Sequence, residues 1–185
     1  MSQMKGFFGI GVEGINKPRN LGNLLRSSHS FGASYFFTVA KTVADEDMNF
    51  ADTARSSQEI PMYHYDDITH MHSHMPKGAQ LVGVELVENS VDLPSFCHPR
   101  AATYILGPEQ GSLSDETLAL CDHVIKIPMK FCINVGVAGA LVMYDRLVNL
   151  GQFPARPVVP GGDVIPLPEH QRGHRYISRA DKKSK

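Results

Sequence analysis

The chain has 185 residues, 42% hydrophobic and 20% charged, with a net charge of −1, which suits one soluble domain with a full core and excludes a disordered chain. No apolar run approaches the ~18 residues of a membrane span, and the N-terminus "MSQMKGFFGIGVEG" has no signal-peptide segment, so a cytoplasmic protein is expected. Three cysteines, Cys97, Cys121 and Cys132, an odd number without CxxC spacing, fit a reducing cytoplasm better than a disulfide framework and give no zinc motif.

In chain order, β-rich apolar runs alternate with segments suited to helices. "GFFGIGVE" is followed by the helical "NLGNLLRSSHSFG", and "SYFFTVA" by "ADTARSS". "IPMYHY" precedes "DDITHMHSHM", and "AQLVGVEL" and "ATYILG" precede "SDETLALC". "HVIKIPM" leads into "NVGVAGALVMYDRLVNL". Such alternation predicts an α/β fold around a mostly parallel sheet, with both faces of the near-continuous apolar strands covered. Ser114, followed by Asp115 and Glu116, reads as a helix start. After Leu150 the texture changes, because "GQFPARPVVPGGDVIPLPEH" carries five prolines. Residues 1–150 read as one catalytic-sized domain and 151–185 as an extended arm. The sequence begins almost at its first strand, so a minimal unit with an added arm is expected.

The arm holds seven Lys/Arg against three acids, a net +4, whereas the preceding 150 residues carry 11 basic and 16 acidic side chains, a net −5. A basic arm on an acidic body suits a polyanionic partner, although charge alone fits a solvated tail equally well.

Gly9, Gly11 and Gly14 spell G-x-G-x-x-G, the dinucleotide-binding fingerprint. Its context argues against that role. The extended run passes through the first two glycines, Pro18 falls where the helix body should be, and no acid lies between Gly14 and Asp45 to hold a ribose. His70, His72 and His74 invite a metal reading. On a helix they spread over different faces, with no flanking ligand at a recognised spacing, so a polar surface and no metal are expected.

Three loops at strand ends carry the remaining signals. The first, residues 16–32, has Asn20 at the expected helix start and Arg26 six residues on. The second, residues 106–116, turns through Gly107-Pro108 and Gly111 with Glu109 at the bend. The third, residues 127–147, leaves a strand at Pro128 and enters a helix lined with Gly136, Ala138, Gly139 and Ala140. Singly, these are ordinary caps, turns and packing positions. In this order they resemble the three signature motifs of the SpoU (TrmH) family of SPOUT RNA methyltransferases. The first is N-x-G-N-x-x-R, from Asn20 through Gly22 and Asn23 to Arg26, closing on Phe31-Gly32. The second is Leu106-Gly107-Pro108-Glu109 to Ser114. The third is Ile127-Pro128-Met129, then Ile133-Asn134-Val135 through Ala140.

The resemblance implies a SPOUT fold with a C-terminal deep trefoil knot, a rare exception to unknotted topology. It implies S-adenosylmethionine bound in that knot, largely through main-chain groups, by Leu106, Gly107, Pro108, Gly111, Ile127, Met129, Asn134 and Val135. It also implies a homodimer, with the Gly/Ala-rich face of the last helix serving knot and interface together. Methyl transfer to a ribose 2′-hydroxyl is the implied reaction. Arg26 is the implied catalytic arginine, acting either as a base with help from substrate phosphate or as a stabiliser of the forming alkoxide. Asn20 positions it, Glu109 orients it or braces the interface, and Asn134 completes the set. Cys132 stands where the family commonly has Ser, and direct transfer without an enzyme-bound intermediate is expected. RNA contacts fall to Arg26 and to Arg172, Arg175 and Arg179 of the arm. tRNA is the first choice of substrate and rRNA the second. The rivals are a non-catalytic RNA-binding protein that keeps the fold and, more distantly, an NAD-dependent oxidoreductase.

Overall fold

The computed structural model describes residues 6–41, 59–108, 111–151 and 153–166. Strands β1 (Phe7–Glu13), β2 (Tyr35–Val39), β3 (Met62–Tyr65), β4 (Gln80–Val84), β5 (Val91–Asp92), β6 (Ala101–Leu106) and β7 (His123–Lys126) form one sheet in the order β3-β2-β1-β6-β4-β7-β5. Every described pair in it is parallel, with β1 central between β2 and β6. Helices α1 (Pro18–Ser30) and α4 (Val135–Leu150) lie on one face, and α2 (Ile68–Ser73) and α3 (Asp115–Leu120) on the other. Parallel neighbours need crossovers, and the crossovers cover both faces.

That coverage explains the apolar runs. β1, β2 and β6 are almost wholly buried. The edge strand β3 and the two-residue β5 are not, and β5 has no apolar run by which sequence could mark it. Ile10, Leu24, Phe36, Tyr104 and Met143 belong to the core under α1 and α4. Phe37, Met71, Leu81 and Ile105 belong to the core under α2 and α3. The predicted helix "ADTARSS" lies outside the described residues.

The glycine triplet has a packing role. Gly9 and Gly11 lie inside β1, and a Cβ on Gly9 would meet the Tyr35 ring, while one on Gly11 would meet the Phe37 ring and backbone. Only glycine lets those aromatics lie flat across the strand. Gly14 follows β1 with φ +63°, a backbone that disfavours any side chain. Pro18 does not interrupt a helix body, as expected from sequence, but opens α1 after Lys17, at the position where its missing N–H costs nothing. Asn20 is therefore the third residue of α1 and not its cap.

At the N-terminal ends of β1 and β6, Arg146 of α4 is buried. Its guanidinium donates to the carbonyls of Pro99 at 2.6 Å, Arg100 at 2.8 Å and Phe7 at 3.3 Å, and to the Tyr104 hydroxyl at 3.2 Å. It also sits over the Phe8 ring. His98 bridges the Tyr104 hydroxyl at 2.6 Å and the Asp145 carboxylate at 3.0 Å. Burial pushes the Tyr104 hydroxyl up to about 12 despite the neighbouring arginine. This network joins the last helix to the first strand.

The chain divides into two units, Met1–Gln152 and Phe153–Lys185. In the second, residues 153–166 form no helix or strand, and Val158, Val159 and Ile165 are exposed. Arg172, Arg175 and Arg179 lie outside the described residues. No helix among the described residues is long and apolar enough to cross a membrane.

Candidate active site

Parallel strands bring their C-terminal ends, and the loops that follow, to one edge of the sheet. There an open cleft lies between the second and third loops. Leu106, Gly107, Pro108 and Gly111 line it from the second loop, and Ile127, Met129, Cys132, Ile133, Val135 and Ala138 from the third loop and the start of α4. Of the residues expected to hold cofactor, only Asn134 is outside this wall. It stands beside it and donates from Nδ2 to Oδ1 of Asn20 at 2.8 Å. Its own Oδ1 accepts from the Gly136 N–H at 2.9 Å, capping α4. One amide thus ties the third motif to the first.

Close packing makes that junction possible. A Cβ on Gly136 would stand 3.1 Å from Asn23, and one on Gly139 would collide with Leu24. Gly136 and Gly139 of α4 therefore serve its seat against α1. Arg26 is exposed on α1, one and a half turns or so beyond Asn20, and does not line the cleft. Glu109 lies outside the described residues. Cys132 is an exposed free thiol on the cleft wall.

Two carboxylates that sequence reasoning missed hold the second loop. Glu13, the last residue of β1, accepts from the Ser114 hydroxyl at 2.7 Å, the Ser114 N–H at 3.1 Å and the Thr117 hydroxyl at 3.0 Å. Glu85, just after β4, accepts from the Leu113 N–H at 2.8 Å. Their partners are far along the chain, and no local pattern announces them. Ser114 itself caps α3, as its sequence context predicts, by accepting from the Thr117 N–H at 3.1 Å.

His70 and His72 are exposed on α2 and His74 is exposed at its cap, while Ile68 and Met71 bury the other side. The expected spread over different faces fails for His70 and His74, which, four residues apart, share a face with ring centroids 4.7 Å apart. No His/Cys/Asp/Glu group among the described residues could hold a metal ion.

The model of the SpoU rRNA Methylase family matches residues 8–144, a span that holds all three loops. The chain belongs to that family. Membership carries its class of chemistry, methyl transfer to RNA from S-adenosylmethionine. The tRNA (guanosine(18)-2′-O)-methyltransferase of Escherichia coli K12 is 28% identical over 170 residues, 87% of this chain and 71% of that one. The Thermus thermophilus protein of the same name is 26% identical over 137 residues, 72% of this chain and 71% of that one. The AdoMet-bound rRNA methyltransferase from Sinorhizobium meliloti superposes with a TM-score of 0.69 at 21% identity. That match covers 81% of this chain and 59% of that one, which shows a shared fold.

The cleft fits the cofactor chemically. Leu106, Ile127, Met129, Val135 and Ala138 offer apolar walls for an adenine ring, and Gly107 and Gly111 put no side chain in the way. Glu85 and Lys126 are its charged wall, which the expectation of a main-chain site did not include.

Proposed function

We propose that this methylase transfers a methyl group to a ribose 2′-hydroxyl of tRNA. The observation that supports the reading is the Asn134–Asn20 hydrogen bond, which ties the helix of the first motif to the third loop next to the cleft-lining Ile133 and Val135. The 2′-O-methyltransferase relatives that act on tRNA favour that substrate over rRNA.

S-adenosylmethionine, when bound, would supply an electrophilic sulfonium methyl; its direct transfer to the ribose oxygen would release S-adenosylhomocysteine, with the hydroxyl proton lost to water. The chain's residues position and stabilise. Arg26 binds the substrate phosphate and offsets the charge forming on the 2′-oxygen. Asn20 and Asn134 fix the register of α1 against the third loop. Glu109 orients the arginine or braces the interface. Cys132 forms no covalent intermediate.

Three further features belong to this proposal. The trefoil knot is supported by the strand order: β4 separates β6 from β7, the loops after both line one cleft, and the chain then returns to pack α4 on α1. The homodimer is supported by an exposed apolar stripe on α4, Val137, Leu141, Tyr144 and Val148, at one-face spacing. The boundary near residue 150 is supported by the change in composition, and Arg172, Arg175 and Arg179 of the arm contact RNA phosphates.

Labelled methyl transfer from S-adenosylmethionine into bulk tRNA and rRNA tests the reading. Label should enter tRNA at a linkage resistant to alkali. Label in a base, in rRNA alone, or in neither would overturn it. Arg26→Ala should slow single-turnover transfer by about 10²–10³-fold, with affinity for S-adenosylhomocysteine within about twofold of wild type.

A further inference from the structure

One acidic side chain on the cleft wall has no place in the three motifs. Glu85 follows β4, and its main chain is fixed there by a 2.9 Å hydrogen bond from its N–H to the Ile125 carbonyl. Its carboxylate is held at both ends. Oε1 accepts from the Leu86 N–H at 2.8 Å, and Oε2 from the Leu113 N–H at 2.8 Å. Gly107 packs so close that a Cβ on it would stand 3.1 Å from Oε2. The carboxylate is therefore wedged between the end of β4 and the second loop, with its orientation set before any ligand arrives.

An ionised carboxylate accepts about four hydrogen bonds and donates none. Two of Glu85's sites are used. No Lys or Arg pairs with it among the described residues, even though Lys126 lines the same cleft. A half-buried acceptor with spare sites, on the wall of a cleft, calls for a ligand with donors.

The neighbouring wall narrows which donors. Leu106, Ile127, Met129, Val135 and Ala138 are the apolar part of the cleft, where an adenine ring is desolvated at least cost. The group bonded to that ring is a ribose. Its vicinal diol presents two O–H donors at a spacing a carboxylate accepts together.

We propose that Glu85 binds the ribose diol of the methyl donor and so selects an adenosyl ligand with both hydroxyls. This rests on the S-adenosylmethionine reading of the cleft. Glu85 holds the second loop through Oε2 and its own turn through Oε1, and holds the ligand with its remaining lone pairs. Loop position and cofactor affinity are thereby coupled through one side chain.

Calorimetric titration of the full-length protein tests this with three probes: S-adenosylhomocysteine and its 2′-deoxy and 3′-deoxy analogues. In wild type, loss of either hydroxyl should weaken binding by about tenfold or more, as for a charge-assisted hydrogen bond. Glu85→Gln keeps the shape and one acceptor oxygen, and should weaken binding of S-adenosylhomocysteine by a similar factor. In that variant the deoxy analogues should lose little more. Equal weakening of all three probes would mean that Glu85 only braces the loop, and would overturn the proposal. So would wild-type affinity for both deoxy analogues, a measurement that needs no variant to fold. Failure of wild type to bind S-adenosylhomocysteine at all would instead overturn the cofactor reading, and this inference with it.

Discussion

Asn134 caps α4 with its oxygen and holds Asn20 with its nitrogen. The two functions separate by substitution. Asn20→Ala removes the link and leaves the cap, so stability should change little while single-turnover transfer falls. Asn134→Ala removes both, and should also cost about 1 kcal/mol in urea unfolding. Asn20→Asp keeps an acceptor facing Asn134 and adds an acid to a first turn of α1 that has none, so it should hold stability. Equal destabilisation by Asn20→Ala and Asn134→Ala would show the cap argument to be wrong. Both asparagines were legible in the sequence because they sit in ordered motifs. Glu13 and Glu85 were not. A carboxylate reveals its role through its partner, and Glu13 meets Ser114 only after the sheet has formed.

At the scale of elements, α4 has two unlike sides. Gly136, Gly139, Val142, Met143 and Arg146 are buried. Val137, Leu141, Tyr144 and Val148 form the opposite stripe, and Tyr144 is 51% exposed. Wild type should sediment as a dimer at micromolar concentration, and Leu141→Glu as a folded monomer, because a charge there would be desolvated by the partner. A monomeric wild type would remove the interface assigned to this face. Six of the seven strands were readable as apolar runs, because crossover helices bury the central ones on both sides. β5 was not, being two exposed residues held by pairing with β7 alone. The start of α1 was misplaced for a physical reason. A proline stops a helix in its body but favours its first turn, and only the position of the cap at Lys17 distinguishes the two.

For the whole molecule, the polar network around Arg146 links pH to stability. Burial holds the His98 imidazole below its usual range, against the opposing pull of Asp145. Tyr104, Asp145 and Arg146 face it. The unfolded chain titrates near 6.5, so it takes up a proton more readily than the fold does. The contribution of His98 is therefore complete above about pH 6.5 and declines as pH falls from there towards the lower folded value. Urea unfolding should show less stability at pH 5.5 than at pH 7.5, with the slope flattened in His98→Gln. The reverse slope would mean a cationic His98 paired with Asp145. The same network also bears on synthesis. Phe7 pairs with Ala101, and its carbonyl accepts from Arg146. One edge of the central strand thus stays bare until the ribosome has released β6, which ends at Leu106 in a first unit that runs to Gln152. Contacts between residues so distant in the chain close slowly. A nascent chain stalled between α1 and β6 would present the apolar flank of β1, and holdase chaperones should capture such stalled chains far more than the finished protein.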